Sequence, residues 1–272
     1  AWLIADATIS GRLPLPENYP SGKTKAAVYL DPRGHFAMVS IAARMPVTTY
    51  DTLFLSILDS SEHVVRQLNA FQPDRLHSYS SSVSDLAGLA IEGKLRIHPK
   101  RLFVGGDKLT ESMERKIRGA WSAPIHIAYG ASESKYIAVK EAGQDEMRVM
   151  DDLNIFEVLD ENNRPAASGG EGRVVLTNLY NYCLPILRYE LGDYVVLGAI
   201  AQDASFTTIR DIKGRVNDAL PVILRDGTCD TISPHVLEVE GFHVRGLEKV
   251  QYISRRPDYI RIEYVGTDDV DT

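Results

Sequence analysis

From Lys25 to about Gly130, short runs of β-forming residues alternate with stretches of helical spacing. That order folds most readily into a parallel sheet covered by helices, because parallel neighbours need a crossover and a helix is the usual one. KAAVYL and HFAMVSIAA read as strands. TTYDTLFLSILDSSEHVVRQLNAFQ places apolar residues at Leu53, Ile57, Leu58, Val64, Val65 and Leu68 and predicts helix, with a break near Asp59-Ser60-Ser61 and an end before Pro73. RLHSYSS then predicts a strand, SVSDLAGLAIEG a helix with a Ser or Asp start, and RLFVGG a strand running into two glycines. TESMERKIRGAW predicts a helix capped by Thr110, and PIHIAYG the next strand.

After Glu133 the texture changes. MRVM, IFEVLD, GRVVLTNL, LPILRYEL and DYVVLG are strand-like segments cut by Asp, Asn, Gly and Pro, which predicts an antiparallel sheet or distorted barrel. From about Asn217 the chain mixes strands around one helical stretch, ISPHVLEVEGF, and reads as a small appended α+β unit. The expected division is therefore a core over 1–216 and a small C-terminal domain over 217–272.

With 44% apolar residues in 272, the chain has enough material for a core without staples. Thirty basic and thirty-seven acidic side chains give a net charge of −7 with no basic block, which argues against a nucleic-acid groove. Cys183 and Cys229 form no C-x-x-C pair, so a disulfide framework or thiolate zinc site is not expected and a reducing, cytoplasmic setting is. No apolar run reaches the ~20 residues of a membrane span. The start, Ala-Trp-Leu-Ile without an initiator Met, predicts a chain cut from something longer.

PSGKT resembles part of a phosphate loop, but that loop needs a glycine five positions before Gly22, where Glu17 stands. The seven histidines offer no H-x-x-x-H or H-E-x-x-H spacing. Four other stretches carry more chemistry. Val104-Gly105-Gly106-Asp107 falls where a buried strand ends, and glycines there let backbone approach a flat ligand; the plain alternative is a tight turn. Tyr129-Gly130-Ala131-Ser132-Glu133 offers a ring, open backbone, a hydroxyl for a phosphate oxygen and a hard carboxylate suited to Mg²⁺. In GRVVLTNLYNYCLPILRYELGDYVVLG, Arg188 precedes Leu-Gly-Asp, and Asp193 can accept from both hydroxyls of a ribose or simply mark a turn. Gly214-Arg215-Val216-Asn217-Asp218 follows, with an arginine for phosphate or ribose.

In this order GGDKLT, YGASE, GGEGRVVLTNL, LPILRYELGD and GRVND resemble the adenylate-forming superfamily, most of all its phenylacetate-CoA ligase branch, over about Phe71 to Asp218. The resemblance implies that Gly105 and Gly106, with Asp107 beside them, line the adenine and acyl pocket. It implies that Tyr129 packs on adenine beside Gly130, Ser132 touches the α-phosphate and Glu133 binds Mg²⁺. Asp193 would hold the ribose, Arg215 would reach ribose or phosphate, and Asn217 would be the hinge. His77 and Tyr79 are candidates for the carboxylate pocket, with ordinary strand packing as the alternative.

The implied substrates are a carboxylic acid and ATP, with AMP carried in the intermediate and coenzyme A or another thiol as acceptor. A homodimer is left open. Several family features are missing: the Ser/Thr/Gly-rich phosphate loop, a catalytic lysine near the C-terminus, the cysteines some relatives carry after the Tyr-Gly motif, and a basic residue where Glu190 stands. Asn217 also replaces the hinge aspartate. A non-catalytic nucleotide-binding or scaffold module of the same fold is therefore the second reading. A sugar-nucleotide enzyme would need a glycine-rich phosphate turn that the chain lacks.

Overall fold

The structure is a computed structural model, and it describes residues 24–30, 50–198, 206–215, 220–223, 227–232, 247–256 and 258–266. The chain divides into two compact units, Ala1–Leu153 and Asn154–Thr272. This division falls later than the change of texture after Glu133, so that MRVM lies in the first unit. The boundary expected at 216/217, the Asn217 hinge, the strand HFAMVSIAA and all but the first residue of the helix ISPHVLEVEGF lie outside the described residues.

In the first unit, β1 (Thr24–Leu30), β2 (Tyr50–Ser56), β3 (Arg75–Ser78), β4 (Arg101–Gly105) and β5 (Ile125–Tyr129) pair in parallel, in the order β2-β1-β3-β4-β5. Two short strands, β6 (Ala138–Lys140) and β7 (Met147–Val149), continue the sheet antiparallel beyond β5. β6 has only three residues, too few for a pattern to show in the sequence. Helices α1 (Ser61–Phe71), α2 (Ser80–Ile91) and α3 (Glu111–Ala120) cover one face. Val64 and Leu68 of α1, Val83 and Leu86 of α2 and Ile117 of α3 share a buried cluster with Ala27, Leu55, Leu76, Leu102, Val104 and Ile125 from the strands. Alternate strand residues supply one face, as the two-residue period requires.

One expectation is corrected here. The stretch 48–72 is not one broken helix: Tyr50–Ser56 is a strand and only Ser61–Phe71 is helical. Tyr-Asp-Thr-Leu-Phe-Leu is rich in β-formers, and full parallel register with β1 outweighs the weak helical spacing. The break itself falls as expected, with Ser60 Oγ accepting from His63 N at 3.3 Å to start α1.

In the second unit, β8 (Asn154–Leu159), β9 (Glu171–Asn178), β10 (Tyr189–Leu197) and β11 (Thr208–Arg215) form an antiparallel sheet in the order β11-β10-β9-β8. Two hairpins follow, β12 (Leu220–Ile223) with β13 (Cys229–Ile232), and β14 (Leu247–Arg256) with β15 (Tyr259–Gly266). A second correction concerns LPILRYEL, of which only the end is strand. Asn178 Oδ1 accepts from Tyr180 N at 3.0 Å and Asn181 N at 2.8 Å, turning the chain out of β9, and Arg188 takes a left-handed φ of 44° before β10 begins. Arg188 is held there by Thr177 Oγ1 on its N–H (2.9 Å) and by Glu157 on its guanidinium (3.0 Å).

Candidate functional site

Because β1 to β5 are parallel, their C-terminal ends lie on one rim of the first unit, the edge where open α/β sheets bind ligands. Tyr79, Gly105-Gly106-Asp107 and Tyr129 to Glu133 all follow directly from those ends. The sequence singled them out separately; the topology brings them to one edge.

Each glycine has a distinct steric reason. A Cβ on Gly105 would stand 2.5 Å from Ala128 O of the neighbouring strand. Gly106 takes φ +85°, and a Cβ there would meet Cδ1 and Cε1 of Tyr79 at 2.9 Å. A Cβ on Gly130 would lie 2.2 Å from Lys135 O, so the 130–135 loop folds back onto its own glycine. Ala131 N donates to Ser134 O at 2.9 Å and closes that loop. Ser132 is thereby exposed and Glu133 half-buried, while Tyr129 is buried and the half-buried Tyr79 offers more ring at this edge.

Asp107 is placed differently from the other candidates. Its carboxylate accepts from the N–H groups of Ser80 (2.5 Å) and Ser81 (3.0 Å), the first residues of α2. The residue before that helix, Tyr79, supplies no capping side chain, so Asp107 caps α2 from 27 residues away. Thr110 caps α3 from within, with Oγ1 accepting from Met113 N at 3.2 Å.

His77 lies within the sheet. It stacks on Phe103 (4.5 Å between centroids), and Phe103 stacks on His126 (4.9 Å), in one row across β3, β4 and β5. His126 Nδ1 stands 3.1 Å from Glu141. Burial, helped by the charges of Arg75 and His126, pushes His77 down to about 3. His126 is lowered as well, by burial, against the opposing pull of Glu141.

A folded-state value below the unfolded 6.5 means that the unfolded chain binds the proton more tightly, so stability is full above about pH 6.5 and is lost as pH falls toward 3. From pH 7 to pH 5, His77 alone should remove about 2 kcal/mol, and thermal melts of the wild type and His77→Phe across that range check it. The variant should show the shallower dependence.

In the second unit, Asp193 on β10 and Arg215 on β11 are register partners, a pairing the sequence did not reveal. Arg215 Nε is 3.4 Å from Asp193 Oδ1; the carboxylate side chain is only 9% exposed and that of the arginine 63%. The buried acid is thus held by an arginine that faces water. Glu190, at the position where a basic residue was expected, pairs with Arg173 at 3.0 Å. Among the described residues no group of three or more His, Cys, Asp and Glu side chains could hold a metal ion by itself. A half-buried carboxylate beside an exposed hydroxyl still suits Mg²⁺, which takes one or two carboxylates and fills its shell with water and substrate phosphate. No helix among the described residues is long and apolar enough to cross a membrane.

No family model matches the chain. It is 26% identical over 168 residues to Protein CapK of Staphylococcus aureus, covering 60% of this chain and 36% of CapK. Among solved structures it resembles a 2-hydroxyisobutyryl-CoA ligase in the postadenylation state with its acyl-AMP (TM-score 0.69, 18% identity, 96% of this chain and 57% of the ligase). It also resembles the McyG A-PCP protein complexed with phenylalanyl-adenylate (0.61, 14% identity, 97% of this chain and 52% of that one). A third likeness is to the anthranilate CoA ligase AuaEII with anthranoyl-AMP (0.61, 14% identity, 89% and 48%). The fold is that of the adenylate-forming enzymes. The chain spans about a third of CapK and about half of the length of these structures.

Proposed function

We propose that this chain is the nucleotide-binding portion of an enzyme that activates a carboxylic acid with ATP to give an acyl-adenylate, of the phenylacetate-CoA ligase type. The observation that carries the proposal is the single rim on which Tyr79, Gly105-Gly106 and the Tyr129 to Glu133 loop follow adjacent parallel strands. Exposed backbone at Gly106 and Gly130, with the Tyr79 ring beside it, accepts a flat base. The Ser132 hydroxyl donates to an α-phosphate oxygen. In the second unit, taken by itself, the buried Asp193 carboxylate is suited to accept from ribose hydroxyls, and Arg215 beside it offers an exposed positive charge.

In adenylate formation a carboxylate oxygen attacks the α-phosphorus and pyrophosphate leaves, so the chain's work is to hold the two reactants in line and offset charge. Glu133 would hold Mg²⁺, which when bound neutralises phosphate charge. Transfer of the acyl group to coenzyme A or another thiol would follow in the complete protein; the likeness to CoA ligases supports this step.

The test is carboxylate-dependent exchange of labelled pyrophosphate into ATP, run on the longest form of the protein. Exchange that falls at least about tenfold with Glu133→Gln supports the enzyme, on the usual worth of one charge-stabilising group. The 272 residues contain no Ser/Thr/Gly-rich phosphate loop, which keeps a nucleotide-binding module as the second reading. AMP binding without exchange would select that module.

A further inference from the structure

The first N–H groups of a helix have no partner within it and must be satisfied from outside, and their partial positive charge makes them a natural anion site. In α2 that end is already filled. Both oxygens of Asp107 are engaged, by Ser80 N and Ser81 N, and the Ser80 hydroxyl donates to Asp107 O at 3.1 Å. Ser80 is fully buried, so the clamp lies inside the unit. The residues just outside the clamp are Tyr79 and Gly106, and they are the pair whose ring and backbone meet, at a separation that leaves no room for a Cβ.

This geometry points to Asp107 as a positioning residue: it binds no part of the nucleotide, but holds the Tyr79 ring against the Gly106 backbone by tying the β4–α3 turn to the start of α2. The inference rests on the nucleotide reading of this rim and assigns Asp107 a different task within it. It also implies that a ligand phosphate or carboxylate does not dock at the N-terminus of α2, where a carboxylate already sits.

AMP titrated into the chain by calorimetry tests this, with Asp107→Ala, Tyr79→Ala, the double variant and Thr110→Ala. Thr110→Ala removes a cap of the same kind from α3 and measures what simple loss of a cap does. Asp107→Ala should weaken AMP about tenfold, while Thr110→Ala lowers the melting temperature comparably and changes affinity less than about twofold. In the Tyr79→Ala background the Asp107 substitution should have no further effect on affinity, because the pair acts as a unit.

Should Asp107→Ala not fold, Asp107→Asn, which keeps one acceptor, takes its place with a smaller loss of the same kind. If the wild type binds AMP and the Asp107 variant binds it equally well, or if the losses at Asp107 and Tyr79 simply add, the positioning role is wrong and the nucleotide reading stands. If the wild type binds no AMP, the nucleotide reading fails first and carries this inference with it.

Discussion

Gly130→Ala should lower pyrophosphate exchange by roughly a hundredfold, the cost of moving reacting groups by about an ångström. The added methyl would stand 2.2 Å from Lys135 O and 2.9 Å from its carbonyl carbon, both backbone atoms that no rotamer change can move aside. The 130–135 turn must open, and Ser132 and Glu133 move with it. Overpacking of this kind should also cost about 1–3 kcal/mol of stability, readable in a urea melt. Gly119→Ala gives the opposite sign in the same melt. It sits within α3, where a Cβ would meet Ile91 Cδ1 at 3.8 Å in ordinary contact, so it should stabilise by about 0.5–1 kcal/mol and leave exchange unchanged.

Asp193→Ala should weaken AMP about a hundredfold while costing the fold little. The two effects separate because of where the charges lie. The Arg215 side chain is 63% exposed, so its guanidinium is solvated when the carboxylate goes and no buried charge is left unpaired. The carboxylate is buried, and two charge-assisted hydrogen bonds from ribose hydroxyls are together worth about 3 kcal/mol, or two decades in affinity. The wild type should therefore prefer AMP over 2′-deoxy-AMP, and the variant should bind both alike. An unchanged preference in Asp193→Ala would remove this residue from the ribose contact.

What the sequence makes legible is local. Thr110 announces α3 because its hydroxyl reaches only three residues ahead, and the glycine pair at 105–106 marks the end of β4 because no other residue suits φ +85° beneath a tyrosine ring. The longer-range features escape it. Asp107 reads as a neighbour of the pocket, and its hydrogen bond from Ser80 appears only with the fold; the resemblance sends Asp193 and Arg215 to the same ribose, but their direct pairing appears only when β10 and β11 come into register. His77 reads from its place on a strand as a pocket candidate or as ordinary strand packing, and its stacking on Phe103 depends on strand order, which residue spacing alone does not give. The error at Tyr50–Ser56 has the same origin: helical spacing is a property of the segment, whereas the pairing with β1 that decides its conformation is not.

Backbone hydrogen exchange of the chain with and without saturating AMP tests the central claim most directly, because it reads the rim without presupposing chemistry. Slowed exchange concentrated at residues 105–107 and 130–134, unaltered on α1 and the β14–β15 hairpin, is the predicted result. Protection confined to other segments, or none at millimolar AMP, would contradict a nucleotide site on this rim.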